Sequence, residues 1–387
     1  KMAVQFIVGR AGAGKSHYLY EKLIEKSLKY RNKNFIAIVP EQFSMETQKQ
    51  ILTMHPNRGS FNIEVTSMTR LAYTVFEEQG FNEYKVMDDL GKTLIMRKVM
   101  EQCKDKLTIY KSKTSMPGFA EKMKTIVSEF KQYGITDDVL NNMKAECDSK
   151  PLLRHKLNDV EIISDAFNEY IKEKVITTED VLTIFCKYIS SSDFIKNTYF
   201  YIDGFTGFTP VQYKLLRKLL RVCGQVNVTV TLDKREQVWK MDKKYKLFYL
   251  SQKTIYHLTE IAREEHCDIA EPIWTGTVKE ETRFADNVEL GYLERNLFRY
   301  PVRPYKEEVQ NITVHCLRQP EDEVHFMIEE IMALREQESF RYRDVAIVTG
   351  NMDIYGTLIK GEMERKGMPC FIDQKKSILA NPVVDTI

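Results

Sequence analysis

The N-terminal part of the chain alternates between short apolar runs and segments of helical periodicity. Residues 4–8 are apolar and β-branched, and the apolar positions between Leu19 and Leu28 then recur at helical spacing. Residues 34–39 and 63–66 form two further apolar runs, with a second helical segment starting at Thr69. Runs of this kind between helices are typical of parallel strands covered on both faces. The order predicts a β-α-β-α-β series and therefore an α/β sheet domain.

The pattern changes at about residue 88 and changes back at about residue 193. Between them, apolar residues recur at helical spacing and strand signals are absent, which predicts an all-helical insertion over residues 88–192. Residues 198–203 then read as a strand that ends in Asp203. Thr209, Pro210 and Gln212 combine a cap, a first-turn proline and a capping-box glutamine, which predicts a helix. Residues 226–232 alternate like another strand. The α/β domain is thus predicted to comprise residues 1–87 and 193–300.

A second series of elements is predicted after residue 301. Strands are expected at residues 312–316 and 345–348, with helices over about 321–337 and 354–365. This predicts that residues 301–387 are the start of a second α/β domain. Asn381 and Pro382 carry the start signal of a helix, barely one turn before the last residue. We therefore expect the chain to be a piece of a longer protein, whereas residues 233–300 show no pattern that assigns elements.

Composition narrows the class without naming a function. The 387 residues include 57 Lys+Arg and 55 Asp+Glu, a formal net charge of +2, and 43% are hydrophobic. That apolar fraction excludes a disordered chain, and the lack of any apolar run of about 18 residues argues against a membrane span. The seven cysteines are scattered without a C-x-x-C pair, which predicts reduced thiols in a cytoplasmic protein. The net charge gives no global argument for nucleic acid.

A glycine-rich loop between the first strand and the first helix carries the most specific chemistry. It has the phosphate-loop (Walker A) pattern G-x-x-x-x-G-K-S, formed by Gly9, Arg10, Ala11, Gly12, Ala13, Gly14, Lys15 and Ser16. Glycines let backbone N–H groups surround phosphate oxygens, and the helix N-terminus favours the same anion. We predict ATP on this loop, with Lys15 at the β- and γ-phosphates and Ser16 on Mg²⁺. The alternative is a strand–helix turn that only favours glycine.

A second candidate metal ligand ends the strand at residues 198–203. Nucleotide-hydrolysing proteins hold Mg²⁺ with a carboxylate from another strand of the sheet, and Asp203 is in the right place. The next residue, where active helicases have a glutamate that positions water, is Gly204. The sequence therefore predicts nucleotide and metal binding by Ser16 and Asp203 without an efficient hydrolytic site, and we assign no catalytic residue. An ordinary strand-end Asp is the alternative.

A weaker signal concerns nucleic acid. Thr66, Ser67 and Arg70 follow a predicted sheet strand, where motor domains place groups that contact a nucleic-acid backbone. A helix cap with a surface arginine explains the same residues equally simply. These three residues are therefore candidate DNA contacts with an open alternative.

Several segments, taken in order, resemble the N-terminal part of the AddB family of bacterial helicase–nuclease subunits. The residues that carry the resemblance are 8–16, 39–43, 67–72, 89–92, 201–212, 293–298, 342–348 and 371–382. The block Ile202-Asp203-Gly204-Phe205 is the most specific of them. The resemblance covers nearly the whole chain.

The resemblance implies a superfamily 1-like helicase module whose motor has decayed. It implies an AddA-like partner subunit, DNA as the ligand and no membrane, with a role in double-strand break repair. The family's nuclease domain and iron–sulfur cluster are expected only in a C-terminal part that this chain lacks. Departures agree with a decayed motor: Gly204 replaces a glutamate, residues 232–236 replace a G-D-x-x-Q element, and Thr349-Gly350 stand where an arginine is common.

Two other functions remain open at this point. An active P-loop NTPase or small-molecule kinase would need a carboxylate from elsewhere, for instance Glu41 after the second strand. An interaction scaffold with a vestigial loop would need no nucleotide at all. Nucleotide binding and turnover distinguish the three.

Overall fold

The computed structural model describes residues 3–80, 86–116, 118–147, 149–172, 175–276, 283–337 and 341–372. The chain divides into two compact units, Lys1–Pro304 and Tyr305–Ile387. The first unit contains a central parallel sheet, and the fold is α/β as the sequence predicted.

The strands and helices follow the predicted order in the first 80 residues and again between residues 198 and 231. The strands are β1 (Ala3–Gly9), β2 (Asn34–Ile38), β3 (Ile63–Thr66), β4 (Val86–Met87), β5 (Ile176–Thr177), β6 (Thr198–Ile202), β7 (Gln225–Thr231), β8 (Asp268–Ile269) and β9 (Ile273–Trp274). The helices are α1 (Lys15–Lys29), α2 (Ser44–Met54), α3 (Met68–Glu78), α4 (Asp89–Cys103), α5 (Phe119–Tyr133), α6 (Asp137–Glu146), α7 (Pro151–Ile171), α8 (Thr178–Tyr188), α9 (Asp193–Lys196), α10 (Pro210–Val222), α11 (Tyr249–Glu264), α12 (Val288–Asn296), α13 (Pro320–Gln337) and α14 (Met352–Arg365).

The main sheet has the order β3-β2-β6-β7-β1-β8, with β9 also paired to β1, and every pairing is parallel. Strand β7 therefore lies between β1, which leads into the phosphate loop, and β6, which leads into Asp203. One apolar cluster fills the face that includes α3, α8, α10 and α11, and another fills the face of α1. Burial on both faces explains why β1, β2 and β6 are mostly apolar.

Residues 88–192 are mostly helical, but the prediction of an all-helical insertion was wrong in one detail. Strand β5 lies within it and forms a two-residue parallel pair with β4, Val86 with Ile176 and Met87 with Thr177. A pair this short leaves no periodicity to detect. Thr177 and Asp180 form the expected capping box of α8. Helices α4, α5 and α7 have their own apolar cluster around Met96, Met123 and Ile163. The domain boundaries inside the first unit stay a prediction.

In the second unit the two predicted helices are present as α13 and α14, but the two predicted strands are not. Residues 312–316 and 345–348 lie within the described part of this unit, and neither has strand pairing. Val345 and Ile347 pack against the helices, whereas Val314 and Val348 are 91% and 93% exposed. An alternating apolar pattern favours extended backbone, but a strand also needs a neighbour for its hydrogen bonds. The α/β assignment of residues 301–387 is therefore not borne out by the described residues of this unit.

Candidate nucleotide site

The phosphate loop ends in a helix N-terminus that no side chain caps. Gly12 and Gly14 have φ of 70° and 78°, in the left-handed region that favours glycine. Helix α1 begins at Lys15; its cap residue Gly14 has no capping side chain, and its first turn contains no acidic residue. The first N–H groups of a helix have no partner within the helix. Those groups and the positive end of the helix dipole suit an anion, so these residues fit a phosphate.

Residues from the unassigned stretch 233–300 hold this loop in place. A Cβ on Gly9 would lie 2.5 Å from Thr275 Oγ1, and a Cβ on Gly276 would lie 2.5 Å from the Cβ of Ala13. On Gly12, a Cβ would lie 2.9 Å from the Phe284 ring. Close packing thus favours glycine at positions 9 and 12, and backbone conformation favours it at positions 12 and 14. Sequence reasoning missed these contacts, since nothing local to residues 275–284 points to the loop.

Lys15 lies where several charges meet. Its Nζ donates a hydrogen bond to the carbonyl oxygen of Arg10 at 2.8 Å. Burial lowers the pKa of Lys15, the nearby carboxylates of Asp203 and Glu294 partly offset this, and the charge of Arg283 lowers it further. Glu294 itself pairs with Arg10 at 2.8 Å. The ammonium is therefore a partly desolvated cation whose charged form an incoming phosphate would stabilise.

Asp203 directly follows β6 and is buried. Its Oδ2 accepts a hydrogen bond from Tyr20 of α1 at 2.6 Å, and its Oδ1 accepts one from Thr229 of β7 at 2.5 Å. A carboxylate has about four acceptor positions, so two hydroxyl donors leave capacity for a cation or its water. Because Asp203 acts electrostatically on Lys15, it lies in the same region as the loop that carries Ser16.

No cluster of three or more His, Cys, Asp or Glu side chains that could hold a metal occurs in the described ranges of the chain. A Mg²⁺ site made of one carboxylate and one hydroxyl is sparse, and such sites rely on phosphate oxygens and water for their other ligands. Ser16 and Asp203 fit that type of site. Their role as metal ligands stays a prediction.

Gly204 has a left-handed backbone conformation that favours glycine. Its φ is 77°, and a Cβ there would lie 3.3 Å from Cδ of Pro40. The position that holds a water-positioning glutamate in active helicases is therefore a left-handed turn packed against the residue that follows β2. This turn explains why the chain has glycine at position 204.

The three candidate DNA residues differ in exposure. Thr66 and Ser67 are buried, and Ser67 caps α3 by accepting a hydrogen bond from the Arg70 backbone N–H at 3.3 Å. The Arg70 side chain is exposed and lies 3.5 Å from Glu41. Of the three, only Arg70 offers a charge to solvent. Their contact with DNA stays a prediction.

A basic cleft of about 630 Å³ opens beside Gly9 and Arg10. Its lining includes Arg235, Arg295 and Arg303. Asp233, the buried acid of the element that replaces G-D-x-x-Q, pairs with Arg235 at 2.7 Å and with Arg299 at 2.9 Å. Burial alone would raise the pKa of Asp233, but these arginines hold it below its usual range. The residues of this element thus order guanidinium groups.

No helix in the described parts of the chain is both long and apolar enough to cross a membrane. The seven cysteines are free, and Cys316 and Cys370 are exposed.

Comparison with known proteins covers almost the whole chain. A family model described as "ADDB, N-terminal" matches residues 6–294. The chain is 42% identical over 386 residues to an ATP-dependent helicase/deoxyribonuclease subunit of Lachnoclostridium phytofermentans, a match over 99% of this chain and 34% of that protein. The proteins of the same name from Clostridium novyi and Thermoanaerobacter sp. are 32% and 34% identical; each match spans 99% of this chain and 33% of the relative.

The chain thus spans about a third of the length of the curated relatives it matches. Several of these relatives share more than 30% identity with it over nearly all of its residues. The family model also covers the phosphate loop, Asp203 and the residues that pack on the loop. The chain belongs to the AddB family and corresponds to its N-terminal part.

Proposed function

We propose that this chain is the ATP- and DNA-engaging N-terminal module of a bacterial helicase–nuclease subunit that acts in double-strand break repair and DNA end processing. The observation that carries the proposal is the uncapped, glycine-bounded N-terminus of α1, with Lys15 beside it. The name of the relatives, which are helicase/deoxyribonuclease subunits, supports the DNA-related role. It also supports a partner subunit, which we propose is AddA-like.

Within this proposal, the residues of the loop bind different parts of the ligand. The backbone from Gly9 to Gly14 surrounds the phosphates, and Lys15 neutralises their charge. Ser16 and Asp203 hold Mg²⁺, while Tyr20 and Thr229 orient the Asp203 carboxylate through its two hydroxyl hydrogen bonds. When bound, the metal and nucleotide supply charge compensation at the sheet edge. Thr66, Ser67 and Arg70 lie at the end of β3 on the DNA-engaging side, with Arg70 as the exposed cation.

The module is further proposed to be a superfamily 1 helicase domain with a degenerate motor site. Support comes from the strand order, in which β7 separates the phosphate-loop strand from the strand of Asp203. Support also comes from Gly204, whose left-handed backbone disfavours any residue with a side chain, glutamate included. Hydrolysis is therefore expected to be poor even with nucleotide bound. The nuclease domain and iron–sulfur cluster of the family belong, in this proposal, to other parts of the full-length protein.

Calorimetric titration of the 387-residue chain with MgATP tests the nucleotide site. We expect saturable binding that Lys15→Ala weakens at least about tenfold, since a charged hydrogen bond contributes about 1.5–3 kcal/mol. Lys22→Ala is the matched control, because Lys22 lies on the same helix and pairs only with nearby Glu25 at 2.6 Å. Binding that is unchanged in Lys15→Ala, or absent in the unmodified chain at millimolar MgATP, would contradict the assignment.

One alternative has a specific observation in its favour. Glu41 follows β2, the strand that neighbours β6, so it lies at the same sheet edge as Asp203. It could serve an active NTPase as the water-positioning carboxylate, although it lies 3.5 Å from Arg70. Phosphate release with and without single-stranded DNA separates the two functions. Appreciable turnover that Glu41→Gln abolishes would favour the active enzyme over the degenerate motor.

A further inference from the structure

Arg283 is anchored on the phosphate loop through its backbone. Its N–H donates a hydrogen bond to the carbonyl oxygen of Gly12 at 3.0 Å. Its Cβ lies 3.1 Å from the position that a Cβ on Gly12 would occupy. The two residues are 271 positions apart along the chain (283 − 12). The contact fixes the start of the Arg283 side chain next to the loop.

The positive charge of Arg283 acts on the Lys15 ammonium. Burial and this charge lower the pKa of Lys15, whereas the carboxylates of Asp203 and Glu294 raise it. Arg283 is exposed, and no carboxylate of the described ranges forms an ion pair with it. Glu294 is engaged by Arg10 at 2.8 Å. Lys15 and Arg283 thus place two positive charges at the phosphate loop, where Glu294 already pairs with Arg10.

Two positive charges near each other repel, and a bound anion between them removes that electrostatic cost. A guanidinium group donates two parallel hydrogen bonds to phosphate, and it cannot lose its charge at accessible pH. The main-chain hydrogen bond means that the backbone of Arg283 needs no ordering on binding, so only its side-chain rotamers have to be restricted.

We propose that Arg283 is a second phosphate-binding cation of the site, which reaches across the loop to the phosphate chain of the bound nucleotide together with Lys15. The inference rests on the proposed nucleotide site and assigns to it a residue outside the phosphate-loop motif. It also adds a function in ligand binding to Arg283, whose neighbour Phe284 packs on the loop. Arg283 binds the ligand and takes no part in a chemical step.

Calorimetry with MgATP and AMP tests the assignment on the full 387-residue chain. We expect Arg283→Ala to weaken MgATP binding about tenfold, the usual scale for one charge-assisted hydrogen-bonding group. AMP, which has a single phosphate, should lose much less. Arg283→Lys should recover part of the affinity, because it keeps the charge but not the two-pronged geometry. Arg263→Ala is the matched control, since that arginine pairs with Glu260 on its own helix at 2.7 Å.

A residue that only supports the loop would weaken MgATP and AMP binding alike. Thermal unfolding shows whether each variant remains folded.

The outcomes are distinguishable. If the unmodified chain fails to bind MgATP, the proposed nucleotide site itself is wrong. If that chain binds and Arg283→Ala binds equally well, only the inference on Arg283 is wrong. An equal loss in Arg263→Ala would also overturn it, because the effect would then be one of total charge.

Discussion

The sheet edge contains two glycine turns that resemble each other in conformation and differ in chemistry. At the phosphate loop, Gly12 and Gly14 have positive φ, and an uncapped helix follows. At the end of β6, Gly204 also has positive φ, but it follows a buried carboxylate that two hydroxyl groups already hold. The first turn offers unpaired donors and a lysine, whereas the second offers no side chain at the position next to Asp203. The two turns therefore differ in the chemical groups that they place at this edge of the sheet.

The two turns are also held differently. Thr275, Gly276 and Phe284 pack directly on the phosphate loop. Gly204 is approached by Pro40 and Phe43, at 3.3 and 3.7 Å from the position of a Cβ. Both turns therefore depend on residues far away along the chain, but the contacts on the phosphate loop are closer than those on Gly204. Substitutions at the two places should differ in what they disturb.

Gly276→Ala should have the largest effect. An added Cβ would lie 2.5 Å from the Cβ of Ala13, at a backbone φ of 64°. Overpacking costs about 1–3 kcal/mol and left-handed backbone about 1–2 kcal/mol, so we expect a loss of about 3 kcal/mol in the free energy of unfolding, measured in urea. MgATP affinity should fall as the loop shifts.

Gly14→Ala is the control for that substitution. Gly14 has φ of 78°, but no heavy atom lies within 4 Å of an added Cβ. It should show the backbone cost alone, about 1–2 kcal/mol. Equal losses in Gly14→Ala and Gly276→Ala would mean that packing on the loop contributes nothing.

Gly204→Glu should have an intermediate effect and tests the second turn. The new side chain would require left-handed backbone and a small shift of Pro40, at a cost of about 1–2 kcal/mol. We expect a lower free energy of unfolding in urea. We also expect no gain in ATP hydrolysis, because the left-handed backbone at position 204 sets the direction of the new side chain. Gly204→Ala supplies the matched backbone cost. A marked rise in phosphate release in Gly204→Glu alone would show that one missing carboxylate was the whole deficit.

The pH dependence of the free energy of unfolding should show the smallest effect, and it tests whether Lys15 is desolvated in the folded protein. Because burial lowers the pKa of folded Lys15 below 10.5, the unfolded chain binds more protons between the two values. The free energy of unfolding should therefore rise with pH through that window in the absence of nucleotide.

Lys15→Met should remove this rise, which urea unfolding from about pH 8 to about pH 10 would measure as a difference between the two proteins. Above that range Tyr20 also contributes, because burial and Asp203 raise its pKa in the folded protein. The unfolded tyrosine then loses its proton at a lower pH than the folded one, so this contribution lowers the free energy of unfolding as pH rises. Identical pH slopes for both proteins would contradict a desolvated Lys15.

Much of the first unit could be read from the sequence, because its signals are local. The apolar run of β1, the glycines after it and the periodicity of α1 are neighbours in the chain, and each confirmed element rests on such a pattern. The same holds for Thr209 and Gln212, whose capping box opens α10 as predicted. In the second unit, local pattern correctly indicated α13 and α14 but was wrong about strands, since pairing depends on a partner and not on alternation.

The candidate site divides along the same line. Sequence alone identified the phosphate loop, Asp203 and the glycine at position 204, because a motif records which backbone and side chains can meet a phosphate. Only the tertiary structure places Arg283, Phe284 and Gly276 on the loop and gives Asp203 its partners Tyr20 and Thr229. These are contacts between residues brought together by the sheet and its crossovers, and no periodicity or spacing encodes them. The sequence predicts what the loop binds, and the fold decides which distant residues pack on it.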